Sequence, residues 1–451
     1  MDLEYDLILR GGIVVSREKS DKADIGIRRG RIKSIAPHLG ETSAKEVMDV
    51  SEKLIFPGII DVHVHPVYSD DMEACSQVAA YGGSTTLIHF AYAYKGMQLK
   101  PTILDYIERG EKSSRLDFAL HCGLFDAPQQ VNDISNVMDL GVRSFKFFIP
   151  YIKQGWSTDD YSLIKAMDIL SAGGGLALVH AENGGGIDYL EDKYQFEYGD
   201  STAFHRLTRP PVLEQEAIFR AICLAEITGC PLYIPHVTSA RALRPIINAR
   251  QEEQIVYAET CSHYLTLTEE ALEEYGSLAK VGPPLRSEDD RQALWRALQD
   301  NHLQVVSSDH AAKTKDLSLE FSQQGFGSPQ LETLLPLVYD QGVNAGKIDV
   351  CRLVQVLCEN PARIFGLYPR KGSLQPGADA DIVVFDPQKE FTICKENQHS
   401  NVGYTLYENM TLNGWADMTF QRGKLVMSYG EIIANVGDGR FLPTFPPGVF
   451  I

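Results

Sequence analysis

Two histidines, His63 and His65, lie two residues apart in the apolar segment GIIDVHVH (58–65). On a β-strand, residues two apart point to the same face, so both imidazoles can reach one metal ion. Ordinary polar histidines fit this short pattern equally well when it stands alone. The segment therefore makes a divalent metal site a candidate that further ligands must support.

Three further side chains of metal-binding type come at the ends of other apolar segments. His180 ends LALVH, His236 follows YIP, and Asp309 follows VVSS. Taken singly, each histidine is more often a hydrogen-bonded core residue, and an aspartate after a strand is often a helix N-cap. Because five such residues coincide at strand ends, metal coordination is the favoured interpretation. Imidazole and carboxylate ligands suit zinc and similar divalent metals.

The segment RSFKFFIPY (143–151) places Lys146 among three phenylalanines and an isoleucine. Burial penalises the ammonium form and so lowers the pKa of a lysine. The neutral amine can add carbon dioxide, and the resulting carbamate has two oxygens that can bridge two metal ions. A lysine that extends to solvent or pairs with a carboxylate is the alternative. Beside four histidines and an aspartate, we expect the carbamate.

The elements that must position these residues alternate between short apolar strands and amphipathic helices. Eight such units in about 300 residues predict a (β/α)₈ barrel, in which chemistry lies at the carboxyl ends of the strands. An open doubly wound sheet is the alternative, but no GxGxxG follows the first strand. The predicted strands are 58–65, 84–90, 117–124, 143–149, 175–181, 231–237, 254–260 and 303–309.

Both ends of the chain alternate apolar and polar residues and turn on glycines, as in YDLILRGGIVV and ADIVVFDP. Neither end is long enough to form a core alone, so we expect them to combine in one β-sandwich. The predicted domains are the first part of the sandwich at 1–57, the barrel at 58–367, and the rest of the sandwich with a tail at 368–451.

Composition limits the partners and the compartment. The 451 residues include 42 basic and 60 acidic ones, for a net charge of −18, which argues against nucleic acid or an anionic membrane as partner. The eight cysteines form no CxxC pair and predict reduced thiols of a cytoplasmic protein. We expect neither a signal peptide nor a membrane-spanning helix.

The combination of HVH, SFKFFIPY, VHAEN, PHVTSA, GPPLR and SSDH resembles the cyclic amidohydrolases of the amidohydrolase superfamily, and most of all dihydropyrimidinases and hydantoinases. The resemblance extends to NPARIFGLYPRKGSLQPGADADIVVFDP (360–387) and GRFLP (439–443). It implies a homotetramer that opens a hydantoin or dihydropyrimidine ring at a C–N bond (reaction class EC 3.5.2) and releases an N-carbamoyl amino acid.

The resemblance also implies roles for individual residues. His63, His65 and Asp309 would bind the more buried zinc ion, His180 and His236 the second, and N6-carboxylated Lys146 would bridge both ions, which share a hydroxide. Asp309 would also shuttle the proton. Tyr151 would hydrogen-bond the carbonyl oxygen as it becomes an oxyanion, although an aromatic lining role fits it equally well.

Some features depart from the family pattern. No arginine occurs at 66–72, which disfavours a dihydroorotase and weakens an allantoinase-like reading. Gly282 stands where a substrate-binding serine is usual, and GFGSPQLET (325–333) lacks the usual asparagine. Trp156 is a candidate wall of the substituent pocket, or packs under its own loop. The alternatives left open are an allantoinase-like or other cyclic amide hydrolase, and a non-catalytic dihydropyrimidinase-related scaffold, which would have lost metal ligands.

The remaining histidines need no place among the ligands. We expect His38, His205, His302 and His399 at the surface. His89, His121, His263 and His310 lie nearer the predicted barrel mouth, where structural roles are the favoured interpretation and support of the ligands is the alternative.

Overall fold

A computed structural model of the protein describes residues 3–40 and 43–447. The strands, in chain order, are β1 (Tyr5–Val15), β2 (Ser20–Arg28), β3 (Arg31–Ala36), β4 (Ala44–Asp49), β5 (Leu54–Pro57), β6 (Ile59–Val64), β7 (Ser84–Ala93), β8 (Asp117–Leu124), β9 (Ser144–Phe148), β10 (Leu176–His180), β11 (Leu232–Ile234), β12 (Val256–Cys261), β13 (Val305–Ser307), β14 (Ile382–Thr392), β15 (Thr411–Gln421), β16 (Lys424–Ser428) and β17 (Glu431–Ile432).

The helices fill the stretches between these strands. They are α1 (Met72–Tyr81), α2 (Leu99–Ser113), α3 (Ala127–Gln130), α4 (Ile134–Met138), α5 (Asp160–Gly173), α6 (Gly184–Tyr198), α7 (Ala203–Thr208), α8 (Pro211–Thr228), α9 (Ala240–Gln251), α10 (Ser262–Thr266), α11 (Glu270–Tyr275), α12 (Glu288–Gln299), α13 (Leu334–Val338), α14 (Val350–Val354) and α15 (Asn360–Ile364).

Strands β6 to β13 pair in sequence order as an eight-stranded parallel sheet. Each of the eight predicted strands overlaps one of them, which confirms the barrel. Every residue of β6 to β13 is buried, as expected for strands covered on both faces. The apolar runs that predicted these strands are therefore the barrel wall itself.

The barrel closes at its mouth through a parallel bridge between Val64 and His310. The His65 amide donates to the His310 carbonyl (2.9 Å), and the His310 amide donates to the His63 carbonyl (3.1 Å). At the start of α12, Ser287 Oγ accepts from the Asp290 amide (3.3 Å) and caps the helix. Closure brings the first and last strands side by side, with His63, His65 and Asp309 at the join.

The remaining strands form a second, nine-stranded sheet of order β17-β16-β15-β14-β5-β1-β2-β3, with β4 on β1. The two chain ends join where β14 pairs antiparallel with β5, for instance Val384 with Ile55. Leu9, Ile25 and Ile55 belong to one apolar cluster on this sheet. This confirms a separate β-domain built from both termini, while the exact boundaries at 57/58 and 367/368 stay predictions.

The two domains meet at the opposite end of the barrel from the mouth, around a buried ion cluster. Lys371 Nζ donates to Asp117 Oδ2 (2.7 Å), where β8 begins, and to Asp381 Oδ2 (2.6 Å), just before β14. Asp379 Oδ2 lies 3.1 Å from the same nitrogen, and Arg422 contacts Asp117. Among the described residues, no helix is long and apolar enough to cross a membrane.

Candidate active site

Barrel closure brings three sequence-predicted ligands together at the mouth. Nε2 of His63 and Nε2 of His65 lie 3.1 Å and 3.0 Å from the same oxygen, Oδ1 of Asp309. Burial alone would raise the pKa of Asp309, but the neighbouring imidazoles of His63 and His65 lower it to about 2. The three side chains thus present two ring nitrogens and a carboxylate to one point, as a divalent metal requires.

A buried glutamate that the sequence reasoning missed orients His63. Nδ1 of His63 donates to Oε1 of Glu259 (2.7 Å), whose other oxygen accepts from the Tyr233 hydroxyl (2.6 Å). The bond fixes the ring so that Nε2 is the nitrogen turned towards Asp309. Glu259 lies in the apolar strand β12, where a carboxylate is as unexpected as Lys146 is in β9. The single charged residue in the apolar segment QIVYAET (254–260) was the sequence signal for this role.

The second pair of predicted histidines lies side by side, with the ring centroids of His180 and His236 4.4 Å apart. Nε2 of His180 donates to Glu182 Oε2 (2.8 Å), which also accepts from Arg209 (2.7 Å). Burial would raise the pKa of Glu182, but Arg209 and His180 lower it to about 2. Glu182 therefore holds the Nε2 proton, and Nδ1 of His180 remains to bind a metal.

Lys146 lines the same cavity as the two histidine pairs and is only 1% exposed. Its Nζ is 5.1 Å from the Phe90 ring centroid and 5.5 Å from that of Phe148, and no carboxylate of the described residues comes within 4.0 Å. Burial lowers its pKa to about 8. An ammonium here would repel bound cations, whereas a carbamate on the same nitrogen would attract them.

Three of these positions have left-handed backbone conformations although none is glycine. The φ angles are +69° at Tyr151, +42° at His236 and +50° at Asp309. Such conformations cost about 1–3 kcal/mol and concentrate at functional sites. Here they occur where the chain leaves or has just left a barrel strand, so the local strain accompanies the placement of the side chains at the mouth.

The mouth opens into a cavity of about 350 Å³. Tyr151 lines it, and burial raises the pKa of this phenol well above its ordinary value, so the hydroxyl stays protonated. Phe326 also lines the cavity, with its Cγ 3.3 Å from the position that a Cβ on Gly282 would take. Every sequence-predicted site residue lines this cavity: His63, His65, Lys146, Tyr151, Trp156, His180, His236, Gly282 and Asp309.

A second group of possible ligands, Cys261, His263 and Asp309, shares one member with the first. Burial raises the pKa of Cys261 well above its ordinary value, which keeps the thiol protonated. Its Sγ hydrogen-bonds Oε1 of Glu259 (3.8 Å). The His63, His65 and Asp309 group therefore fits a metal better, since its donors need no deprotonation at neutral pH.

One expectation about the other histidines is wrong. His205 is buried instead of exposed, because its Nε2 donates to the Val281 carbonyl (2.6 Å) and its ring stacks on Phe326. Burial and the nearby Arg209 lower its pKa well below the ordinary value. His205 thus supports the cavity wall from behind.

Comparison with known proteins agrees with this geometry. A model of the amidohydrolase family matches residues 155–426. A D-hydantoinase from Ralstonia pickettii is 35% identical, covering 97% of this chain and 98% of the relative. An L-hydantoinase from Paenarthrobacter aurescens is 30% identical, with 97% and 98% covered.

Solved structures are also similar to this chain over nearly its full length. A D-hydantoinase crystal structure has a TM-score of 0.94 at 33% identity, over 98% of this chain and 99% of its own. The dihydropyrimidinase from Brevibacillus agri NCHU1002 has a TM-score of 0.93 at 33% identity, with 98% and 99% covered. The chain therefore belongs to the amidohydrolase family, whose members bind divalent metal. Within it, the chain is a cyclic amidohydrolase similar to hydantoinases and dihydropyrimidinases.

Proposed function

We propose that the protein hydrolyses a C–N bond of a cyclic amide or imide, a hydantoin or dihydropyrimidine ring, and releases an N-carbamoyl amino acid. One observation carries the proposal: the six side chains of metal-ligand type line a single cavity. The resemblance to D- and L-hydantoinases and to a dihydropyrimidinase supports the ring class. A cavity of about 350 Å³ suits a small ring with a substituent.

Two divalent cations, zinc by the chemistry of the donors, would occupy the site. His63, His65 and Asp309 would hold one cation, and His180 and His236 the other. Lys146, as its N6-carboxylated form, would bridge them. When bound, the cations would polarise the ring carbonyl and lower the pKa of a water molecule towards neutrality.

The chain's own residues then move protons and stabilise charge. Asp309, held ionised by His63 and His65, accepts a proton from the attacking water and returns it to the leaving ring nitrogen. Tyr151 donates a hydrogen bond from its protonated phenol to the carbonyl oxygen as negative charge develops there. Glu182 and Glu259 keep the histidine rings in position throughout.

Gly282 would bind the ring through its backbone, and Trp156 would form part of the substituent wall. The Trp156 ring is 4.7 Å from that of Phe125, which also lines the cavity. Phe326 takes up the space that a larger residue at 282 would need. We propose that Phe326 fills the space of the side chain that Gly282 lacks. The backbone of residue 282 can then still contact the ring.

The competing functions make different predictions about the same residues. A non-catalytic scaffold needs no ligand set, yet all six residues of ligand type meet here. An allantoinase-like enzyme remains the second candidate within the same reaction class. A homotetramer and a cytoplasmic location complete the proposal, and the absence of disulfides among the described cysteines is compatible with that compartment.

One experiment tests the function. The protein is reconstituted with zinc, with and without bicarbonate, and the metal content per chain is measured. Ring opening is then assayed with dihydrouracil, hydantoin, 5-substituted hydantoins and allantoin. We expect two metals per chain with bicarbonate, and turnover of hydantoins or dihydrouracil. Less than about one metal per chain together with no turnover of any ring would overturn the enzyme proposal.

A further inference from the structure

A second lysine, Lys313, lines the cavity at a shallower level than Lys146. It follows Asp309 by four residues on the loop after β13 and is half-buried, whereas Lys146 is 1% exposed. Its Nζ lies 5.1 Å from the ring centroid of Tyr68, another cavity residue. Lys313 therefore places a positive charge on the wall between the candidate metal ligands and solvent.

Other lysines close to Lys313 already donate hydrogen bonds to backbone carbonyls. Lys280 donates to the carbonyls of Phe321 (2.7 Å) and Gln324 (2.8 Å), and Lys315 donates to the Gly325 carbonyl. These bonds fix the loop that covers one side of the cavity. Burial and neighbouring cations, Lys313 among them, lower the pKa of both Lys280 and Lys315 to about 7.

Lys313 differs from Lys280 and Lys315 because its Nζ has neither a carbonyl acceptor nor a carboxylate partner among the described residues. No carboxylate of residues 3–40 and 43–447 lies within 4.0 Å of its Nζ. Arg209, by contrast, is paired with Glu182 (2.7 Å). In a chain of net charge −18, an unpaired cation facing a cavity is available to an anion that enters from solvent.

The backbone at Lys313 is firmly held, which presents the ammonium in a defined place. The Tyr404 hydroxyl donates to the Lys313 carbonyl (3.1 Å), and the Ser69 amide donates to the preceding carbonyl of Ala312 (3.0 Å). Gly325 leaves the room that the side chain needs, since a Cβ there would overlap Lys313 Nζ. The surroundings are thus arranged around an extended lysine.

We propose that Lys313 binds a carboxylate on the ring substituent, so that the enzyme prefers cyclic amides with an anionic side chain. The inference rests on the proposed ring hydrolysis and adds its substrate class. The ring carbonyl must reach the buried His63 and the adjacent Asp309, so a substituent projects outward past Lys313. No arginine that could bind a carboxylate occurs at 66–72, just after the first barrel strand. Lys313, just after the last barrel strand, supplies a cation instead.

The test compares two isosteric substrates, hydantoin with a 5-(2-carboxyethyl) group and its uncharged carboxamide. The readout is the ratio of kcat/KM for the acid to kcat/KM for the amide, measured on the metal-loaded full chain. We expect a ratio above one in the unaltered protein and a fall of about 10- to 100-fold in Lys313→Met. The matched control Lys95→Met removes an exposed charge from the loop beside the mouth and should leave the ratio unchanged.

The outcomes separate this inference from the function on which it rests. If neither hydantoin nor any other ring is opened, the proposed function fails. If both substrates are opened and Lys313→Met leaves their ratio unchanged, or lowers both rates equally, the carboxylate inference is overturned. As a second arm, Lys313→Glu should shift the preference to the 5-(3-aminopropyl) hydantoin, and a preference for the acid in that variant would also contradict the inference.

Discussion

Two fully buried lysines at opposite ends of the barrel have opposite surroundings. Lys371, at the domain junction, bonds to Asp117 and Asp381 at 2.7 and 2.6 Å. Lys146, at the mouth, faces the rings of Phe90 and Phe148 and no carboxylate of the described chain within 4.0 Å. The aspartates raise the pKa of Lys371 despite its burial, whereas burial lowers the pKa of Lys146 to about 8.

The difference shows how one barrel separates stability from chemistry. At the closed end, the aspartates that neutralise Lys371 come from different parts of the chain, so the cluster ties the barrel to the β-domain. At the mouth, burial favours the uncharged form of Lys146 and outweighs Glu259 and Asp309, which favour the charged form. A buried cation without a partner is a cost that folding alone does not explain, and it identifies the functional end.

The largest expected effect is at the mouth. In Lys146→Ala the bridging group is lost, so we expect at most one tightly bound metal per chain and a fall in ring-opening rate on the order of 10³-fold or more. Metal analysis and kcat measure the two effects. Lys153→Ala, which removes an exposed lysine paired with Asp192, is the control. A Lys146→Ala protein with two metals and full rate would show that Lys146 is not the bridge.

At the closed end, the same kind of change should act on stability instead. Lys371→Met removes the cation shared by three buried aspartates, of which Asp117 keeps Arg422 and Asp379 keeps Arg370. We expect the free energy of unfolding to fall by about 3–5 kcal/mol. Denaturant titration measures this, and metal content per folded chain should stay at two. Lys112→Met, at an exposed pair with Glu108, should change stability by less than about 0.5 kcal/mol. If Lys371→Met lost metal but kept its stability, Lys371 would serve metal binding and not stability, contrary to this comparison.

An intermediate effect is expected where a buried carboxylate serves the mouth. Glu259→Gln keeps an acceptor for His63 Nδ1 but removes the negative charge, so metal affinity should fall about 10- to 100-fold. Competition with a chelating dye measures the affinity. Tyr233→Phe removes only the hydroxyl bonded to Glu259 and should have the smaller effect. The opposite order of the two variants would mean that Glu259 acts through packing and not through His63.

How far the sequence predicted this site depends on where each residue lies. The sequence predicts that His63, His65, His180, His236 and Asp309 meet in one cavity, because apolar strands end visibly and barrel strands share one carboxyl end. Lys146 was found because a cation interrupts an apolar run. Glu259 interrupts a similar run, so its charge was a signal, but its bond to His63 joins β12 to β6, and no spacing reveals that contact.

Other features depend on contacts between distant segments and could not be predicted from local pattern. His205 lies in a short helical stretch that looks exposed, and its burial follows from contacts with Val281 and Phe326. The position of Lys313 depends on a loop without periodicity, held by Tyr404 and Ser69. Periodic elements are predictable because burial repeats along them, whereas these loops take their shape from partners far away in sequence.

The smallest effect tests the lowered pKa of Lys146 itself. With a pKa of about 8 in the folded, metal-free protein and about 10.4 when unfolded, the unfolded chain binds more protons between these values. Lys146 therefore destabilises the folded protein fully below pH 8, and the penalty disappears as the pH rises towards 10.4. The contribution is at most about 1.4 kcal/mol per pH unit.

Unfolding free energies of metal-free protein and of Lys146→Met, measured without carbon dioxide from pH 7 to 10, should converge as the pH rises, with the variant the more stable at pH 7. Lys371, whose pKa is raised, contributes stability that is lost only above pH 10.4. Its contribution to the free energy of unfolding is therefore constant from pH 7 to 10. A constant difference between the two proteins across the window would show that Lys146 is charged throughout, and the contrast between the two lysines would then lie in packing alone.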